Sequence, residues 1–306
     1  MHILLGNPED PLCRSVCAVL EARNYPTHII ANPLMPPSRF AWRLDNEQSA
    51  SQFVWEEEPP VPDDQITGVL VRSTGWIDPG GWQPNDLTYM QAETRAALLA
   101  WLWSLACPVV NRYCSAIWYG FQASLLFWHP MLRRCCLPTS ETLVTNIGHE
   151  ARAFGRSLTL AGVAGAVYGP LTSDLRYLLT GEEDWNGLTA MQRYMPVCLT
   201  SPHSAAQFVC VVGERVIWEG EPSSEMSLLE PALRRFALLA GLALVELALA
   251  PASNGISVIA VEPYLHFERF GDVAQQQIVE GIVELLTAEA GDGRFDAVPT
   301  LQRSRL

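Results

Sequence analysis

The sequence contains no lysine: its 20 basic residues are all arginine. Lysine ordinarily ranks among the commonest residues. Its absence excludes every mechanism that needs a primary amine side chain, including Schiff-base formation, a P-loop lysine and a lysine general base. Positive charge is scarce altogether. The 20 basic residues face 33 acidic ones, for a net charge of −13. That balance argues against binding nucleic acid or an anionic membrane surface, both of which need basic surface to neutralise phosphate.

Other signals are missing too. Eight cysteines occur, at 13, 17, 107, 114, 135, 136, 198 and 210, yet none forms a CxxC pair and no zinc-ligand spacing appears. They read as small buried hydrophobes of a reducing cytosol, with a metal or redox role as an alternative. The most apolar run, FALLAGLALVELALA at 236–250, is short and holds Glu246, so no membrane span is expected. MHILLGNPED lacks a basic n-region and a signal-length apolar core, and a cytoplasmic protein is expected. No GxGxxG follows the first apolar run, which removes support for a dinucleotide site.

What is present is a folded composition. Apolar residues make up 49% of the 306 positions, enough for a large core in two or three lobes. HILLG (2–6), a helical pattern over 12–23 and THIIA (27–31) read as β-α-β, the opening of an open α/β sheet. Residues 32–65 read as a proline-rich connection with one weak strand at 51–55. ITGVLVR (66–72) reads as a strand, 88–106 as an apolar-faced helix, and PVVNR (108–112) as a strand. Residues 113–134 read as helical. LPTSETLVTN (137–146) reads as a turn and strand, with Asn146 capping a helix over 147–156. Residues 158–173 read as two short strands. AAQFVCVVG and ERVIWEG read as a hairpin about Gly213 and Glu214. A helix over 225–241, strands LALVELALA and SVIAVE, and an amphipathic helix over 271–289 follow.

SVIAVE ends abruptly on Glu262, and Pro263 breaks the ladder. A lone acid at the end of a buried strand is a metal ligand, a base, or a solvated strand end. Several stretches, taken in order, carry a resemblance. VLVRSTG, the helix before PVVNRYCSA, LPTSETLVTN, VYGPLTSD, MQRYMP with QFVCVVGERVIWEG, and LALVELALAPASNGISVIAVEPY resemble successive segments of the ATP-grasp superfamily. The similarity is greatest to its branch of glutamate ligases and microviridin-type peptide maturases, and it covers about 1–288.

The resemblance implies an α/β ATP-grasp architecture: an N-terminal α/β domain (1–112), a small central lobe (113–190), a C-terminal lobe (191–290) and a tail (291–306). It implies ATP between two antiparallel sheets, two phosphate-binding lysines, an arginine for acyl-phosphate chemistry and acidic and amide ligands for Mg²⁺. This sequence departs at those places. The lysine positions fall at Gln122 and Gly169, and the arginine at Phe208 or Gln207. The metal acids fall near Glu246 or Leu247 and at Glu262, with Tyr264 where an amide ligand belongs. Gln192, Arg193 and Tyr194 fall at a nucleotide hinge. Arg72, Arg176 and Arg215 are candidates for binding substrate or partner, Arg176, Arg193 and Arg215 also as substitutes on phosphate.

No residue is assigned a catalytic role. The expected function is an ATP-grasp-fold protein that has lost ligase chemistry, the transfer step depending on positioned charge. It would bind a peptide, or a partner enzyme of the same pathway, in peptide-modification biosynthesis. An active, rewired carboxylate-amine ligase using ATP and Mg²⁺ is the alternative. A homo-oligomer stays open.

Overall fold

The structure, a computed structural model, describes residues 1–44, 49–55, 59–72, 80–112, 125–163, 165–170, 176–203, 205–252 and 255–288. Cys114 and Gln122 lie outside them.

The chain opens as the periodicity predicts. Strand β1 (His2–Leu5), helix α1 (Pro11–Ala22) and strand β2 (Thr27–Ile30) form a parallel β-α-β unit. Asp10 caps α1 by accepting from the Leu12 amide at 2.9 Å, and Pro11 fills the first turn, where no amide partner is needed. The connection after β2 holds more structure than its composition suggests. Strands β3 (Arg39–Leu44), β4 (Ser49–Val54) and β5 (Val61–Pro62) form an antiparallel sheet where a single weak strand was expected. Phe40 and Trp42 alternate with exposed neighbours along β3, a period of two that the flanking prolines and acids obscure.

Strand β6 (Gly68–Val71), helix α2 (Pro84–Ser104) and strand β7 (Val109–Val110) complete a parallel sheet of order β2-β1-β6-β7. Helix α2 starts earlier than the apolar pattern indicates because Pro84 sets its first turn. Helix α3 (Leu125–Arg134) buries Trp128 edge-on against Phe236, 5.8 Å between ring centroids. It packs with the C-terminal lobe, whereas the expected division counted it in the central lobe.

The central lobe is built from β8 (Thr142–Thr145), α4 (Gly148–Leu160), β9 (Ala166–Tyr168), β10 (Tyr177–Leu179), α5 (Glu182–Gln192) and β11 (Val197–Thr200), with sheet order β10-β9-β11-β8. Two expectations are corrected here. Asn146 does not cap α4; the Thr145 hydroxyl instead accepts from the Ile147 amide at 3.0 Å. Residues 158–160 are the last turn of α4 and not a strand, because Ala151, Phe154 and Leu158 continue one buried helical stripe. Strand β11 pairs with both β8 and β9, so the central sheet runs past the boundary expected at 190.

The C-terminal lobe contains the hairpin β12 (Gln207–Val212) and β13 (Arg215–Trp218), helices α6 (Ser224–Ser227) and α7 (Glu230–Ala240), strands β14 (Leu244–Ala252) and β15 (Gly255–Glu262), and helix α8 (Asp272–Thr287). Its sheet order is β13-β12-β14-β15, all antiparallel. Gly213 turns the hairpin with φ of 55°, a region that favours glycine.

Buried Asn111, held at φ of 57°, joins the N-terminal sheet to this lobe. Its side-chain amide donates to the carbonyls of Leu244 (2.7 Å) and Pro263 (3.2 Å), and its oxygen accepts from the Leu244 amide at 2.8 Å. Among the described residues no helix is long and apolar enough to cross a membrane.

Candidate functional site in the C-terminal sheet and central lobe

The cross-strand register puts the two acids together. Glu246 on β14 lies opposite Glu262 on β15 and opposite Cys210 on β12. Directly opposed residues share a sheet face, so Cys210, Glu246 and Glu262 form one row. Glu246 is 0% exposed, and a buried carboxylate needs compensating charge and donors. It has both. The His266 amide donates to its Oε2 at 2.8 Å, the His266 ring Nδ1 lies 3.2 Å from Oε1, and Arg269 Nη1 donates to Oε1 in an ion pair. The Arg269 guanidinium also lies 3.9 Å over the Phe208 ring, a cation–π contact.

Local sequence explains how this cap forms. Pro263 ends the β15 ladder, and a 3-10 turn at Phe267–Arg269 folds the chain back across β14. Burial, reinforced by the Glu246 charge, pushes the Cys210 thiol far above its ordinary range.

Gly169, just after β9, donates its amide to the Cys198 carbonyl at 3.1 Å. A Cβ there would lie 3.2 Å from Cδ and Nη1 of Arg176, so the Arg176 side chain lies across the position where the resemblance expects a lysine. Burial raises the Cys198 thiol, and the Arg176 charge opposes that rise.

The remaining predicted residues are dispersed. Gln192 ends α5 with its side chain buried inside the central lobe, Nε2 donating to the Thr145 carbonyl at 3.3 Å. Arg193 follows as the helix cap, and Tyr194 is 90% exposed. The chain leaves the central lobe further on, after β11. Arg72 Nε donates to Asp10 Oδ2 at 2.7 Å, tying β6 to the cap of α1. Burial raises the Tyr264 hydroxyl, with Arg95 and Arg72 close enough to oppose it. Arg215 pairs with Glu284 on α8 at the turn end of the hairpin, away from the acidic row.

Sequence reasoning passed over three residues that matter here. Histidines 203 and 266 carry no metal or triad spacing, yet both are engaged: His203 Nε2 lies 2.7 Å from Ser140 Oγ. Arg269 sits 23 positions from Glu246, beyond any local pattern. The described cysteines offer no metal cluster, since among the described residues no group of three or more His, Cys, Asp or Glu could hold one. Burial pushes up the thiols of Cys13, to about 12, and of Cys17 and Cys107, to about 11, which suppresses thiolate chemistry there.

No family profile and no curated protein matches the sequence. Solved structures do. A macrocyclase MdnC of Microcystis aeruginosa MRC, bound with precursor peptide MdnA, superposes at a TM-score of 0.74 with 13% identity, covering 94% of this chain and 99% of that one. A Chryseobacterium gregarium RiPP-associated ATP-grasp ligase in complex with ADP and a leader and core peptide gives 0.72 at 12% identity, covering 93% and 96%. The chain has the ATP-grasp fold. An ATP-grasp RimK domain protein from Sphaerobacter thermophilus DSM 20745 matches more loosely, at 0.57 with 17% identity over 94% and 99%.

The ATP-grasp fold implies Mg²⁺ and nucleotide, and the residues present do not fit the metal. Mg²⁺ needs several oxygen ligands in near-octahedral order. Both oxygens of Glu246 are already taken by His266 and Arg269, and a tyrosine stands at the expected amide position.

Proposed function

We propose that this protein binds a peptide within a peptide-modification system and does not carry out ATP-dependent ligation itself. The reading rests on Glu246. The acid that the resemblance assigns to metal is enclosed and neutralised from within the chain. The expected lysine positions carry no amine, and γ-phosphoryl transfer depends on such positioned charge. The peptide partner is supported by the whole-length likeness to ATP-grasp proteins solved with precursor peptides. The partner's identity, and whether a second enzyme of the pathway is engaged, belong to the same proposal.

Arg176 favours a second reading, a rewired ligase. Its guanidinium lies across Gly169, and arginine is a strong phosphate ligand. Calorimetric titration with ATP, with and without Mg²⁺, alongside an ADP-release assay, separates the two. The proposal expects no Mg²⁺-dependent heat and no ADP release. Mg²⁺-dependent binding lost in Glu262→Gln, with ADP release, overturns it in favour of the ligase.

A further inference from the structure

Glu246 and Arg269 together do what an acid and a metal ion do elsewhere: they bring a negative and a positive charge into a sheet face. We propose that Arg269 is a tethered cation that replaces a divalent metal on Glu246, closing the acidic row of the C-terminal sheet to metal.

Three observations converge. Glu246 is fully buried and both its oxygens are engaged, Oε2 by the His266 amide and Oε1 by Arg269 and the His266 ring. Arg269 is fixed on its other side by the Phe208 ring, 3.9 Å from its centroid. Phe208 and Glu246 lie on the same sheet face, since Phe208 opposes Ala248 two residues along β14. The guanidinium is therefore held between a carboxylate and an aromatic face. A weakly hydrated, planar cation suits such a place, whereas an ammonium does not. The 3-10 turn supplies the reach, and the His266 amide in the same turn supplies a second donor. A divalent ion would have to break the ion pair and the cation–π contact before reaching Glu246.

The test uses Mn²⁺ alone, counted by the loss of its free-ion magnetic-resonance signal on titration into the full chain. Surface acids take up some Mn²⁺, so the informative quantity is the difference between the native protein and Glu246→Gln. The proposal expects no difference. A saturable component in the native protein that Glu246→Gln removes overturns it. Arg269→Met is the complementary variant. It frees Glu246 beside Glu262 and is expected to bind Mn²⁺ at least about tenfold tighter than native, a gain set by ligand charge and absent from the Arg269→Met, Glu246→Gln double variant. A folded Arg269→Met that gains nothing also overturns the proposal. Where Arg269→Met fails to fold, the native comparison alone decides. Turnover of ATP would sink the peptide-binding reading, but only Mn²⁺ on Glu246, or a silent Arg269→Met, sinks this one.

Discussion

The central lobe and the rest of the molecule keep their cores differently. Phe154, Leu158, Leu188, Val197 and Leu199 belong to a core drawn wholly from the central lobe. The N-terminal and C-terminal sheets instead share theirs. Ile3 and Val69 lie in one cluster with Val209 and Leu247, and Leu4 and Leu12 lie in another with Cys210 and Ile282. Among the described residues the central-lobe cluster, the small body, shares no buried side chain with the two clusters that join the N-terminal and C-terminal sheets, the large body. The candidate site is divided between them. Gly169, Arg176 and Cys198 ride on the small body, and Glu246, Glu262 and Arg269 on the large one.

The sharpest way to break this comparison is to cut each core. Phe236→Ala, in the shared core against Trp128, is expected to cost about 3–5 kcal/mol. Hydrogen exchange should then rise in both the N-terminal and C-terminal sheets. Leu199→Ala costs about 2–5 kcal/mol by the same measure, but its exchange should rise only within 142–200. Spread of the Leu199→Ala effect into β1 or β14 would show that the bodies are one.

Asn111→Gly comes next. Glycine accepts the positive φ but forfeits the bonds to Leu244 and Pro263. Unsatisfied buried backbone groups put the loss at about 2–3 kcal/mol in denaturant unfolding. The exchange pattern of the central lobe should not change.

The smallest effect is with pH. Burial lowers the pKa of both His2, in the large body, and His203, at the junction. Their neutral forms are favoured in the fold, so the unfolded chain binds more protons as pH falls through the ordinary histidine value near 6.5. Stability is full above about 6.5 and declines below it. His203→Asn should shrink the change in melting temperature between pH 7.5 and 5.5, a difference of about 1 kcal/mol or less. His2 and the Met1 amine, whose pKa burial also lowers, contribute to the remainder. An unaltered slope would remove His203 from the account.

Much of the frame was legible because the elements there carry clean periods. The β-α-β opening, the Gly213 hairpin and the β14–β15 pair follow from alternation and turn residues alone. Their two acids could be read as neighbours once those strands were paired. The small sheet β3-β4-β5 hid its alternation among prolines and charges. Helix α4 continued where glycines suggested a break, because tertiary burial of Leu158 outweighed the turn signal. Gln192 looked like a hinge from its motif, and its buried side chain at the end of α5 reaches the Thr145 carbonyl, a contact 47 positions away that the motif does not record. Arg269 was out of reach for another reason: its partner is chosen by a turn after β15, and no spacing along the chain records that choice.

In chain topology the central lobe is a cassette whose entry and exit lie side by side. The chain enters just after Ser140 and leaves just before His203, and those two residues meet at 2.7 Å. Beside them Thr139 bridges to Val258, and the Val258 amide donates to the Pro138 carbonyl at 2.8 Å, which pins the entry to the large body. A short splice across that port would remove the cassette without cutting either shared core. Such a lobe is free to be deleted, exchanged or enlarged at the level of the gene, while the body that carries Glu246 and Arg269 keeps its own folding intact.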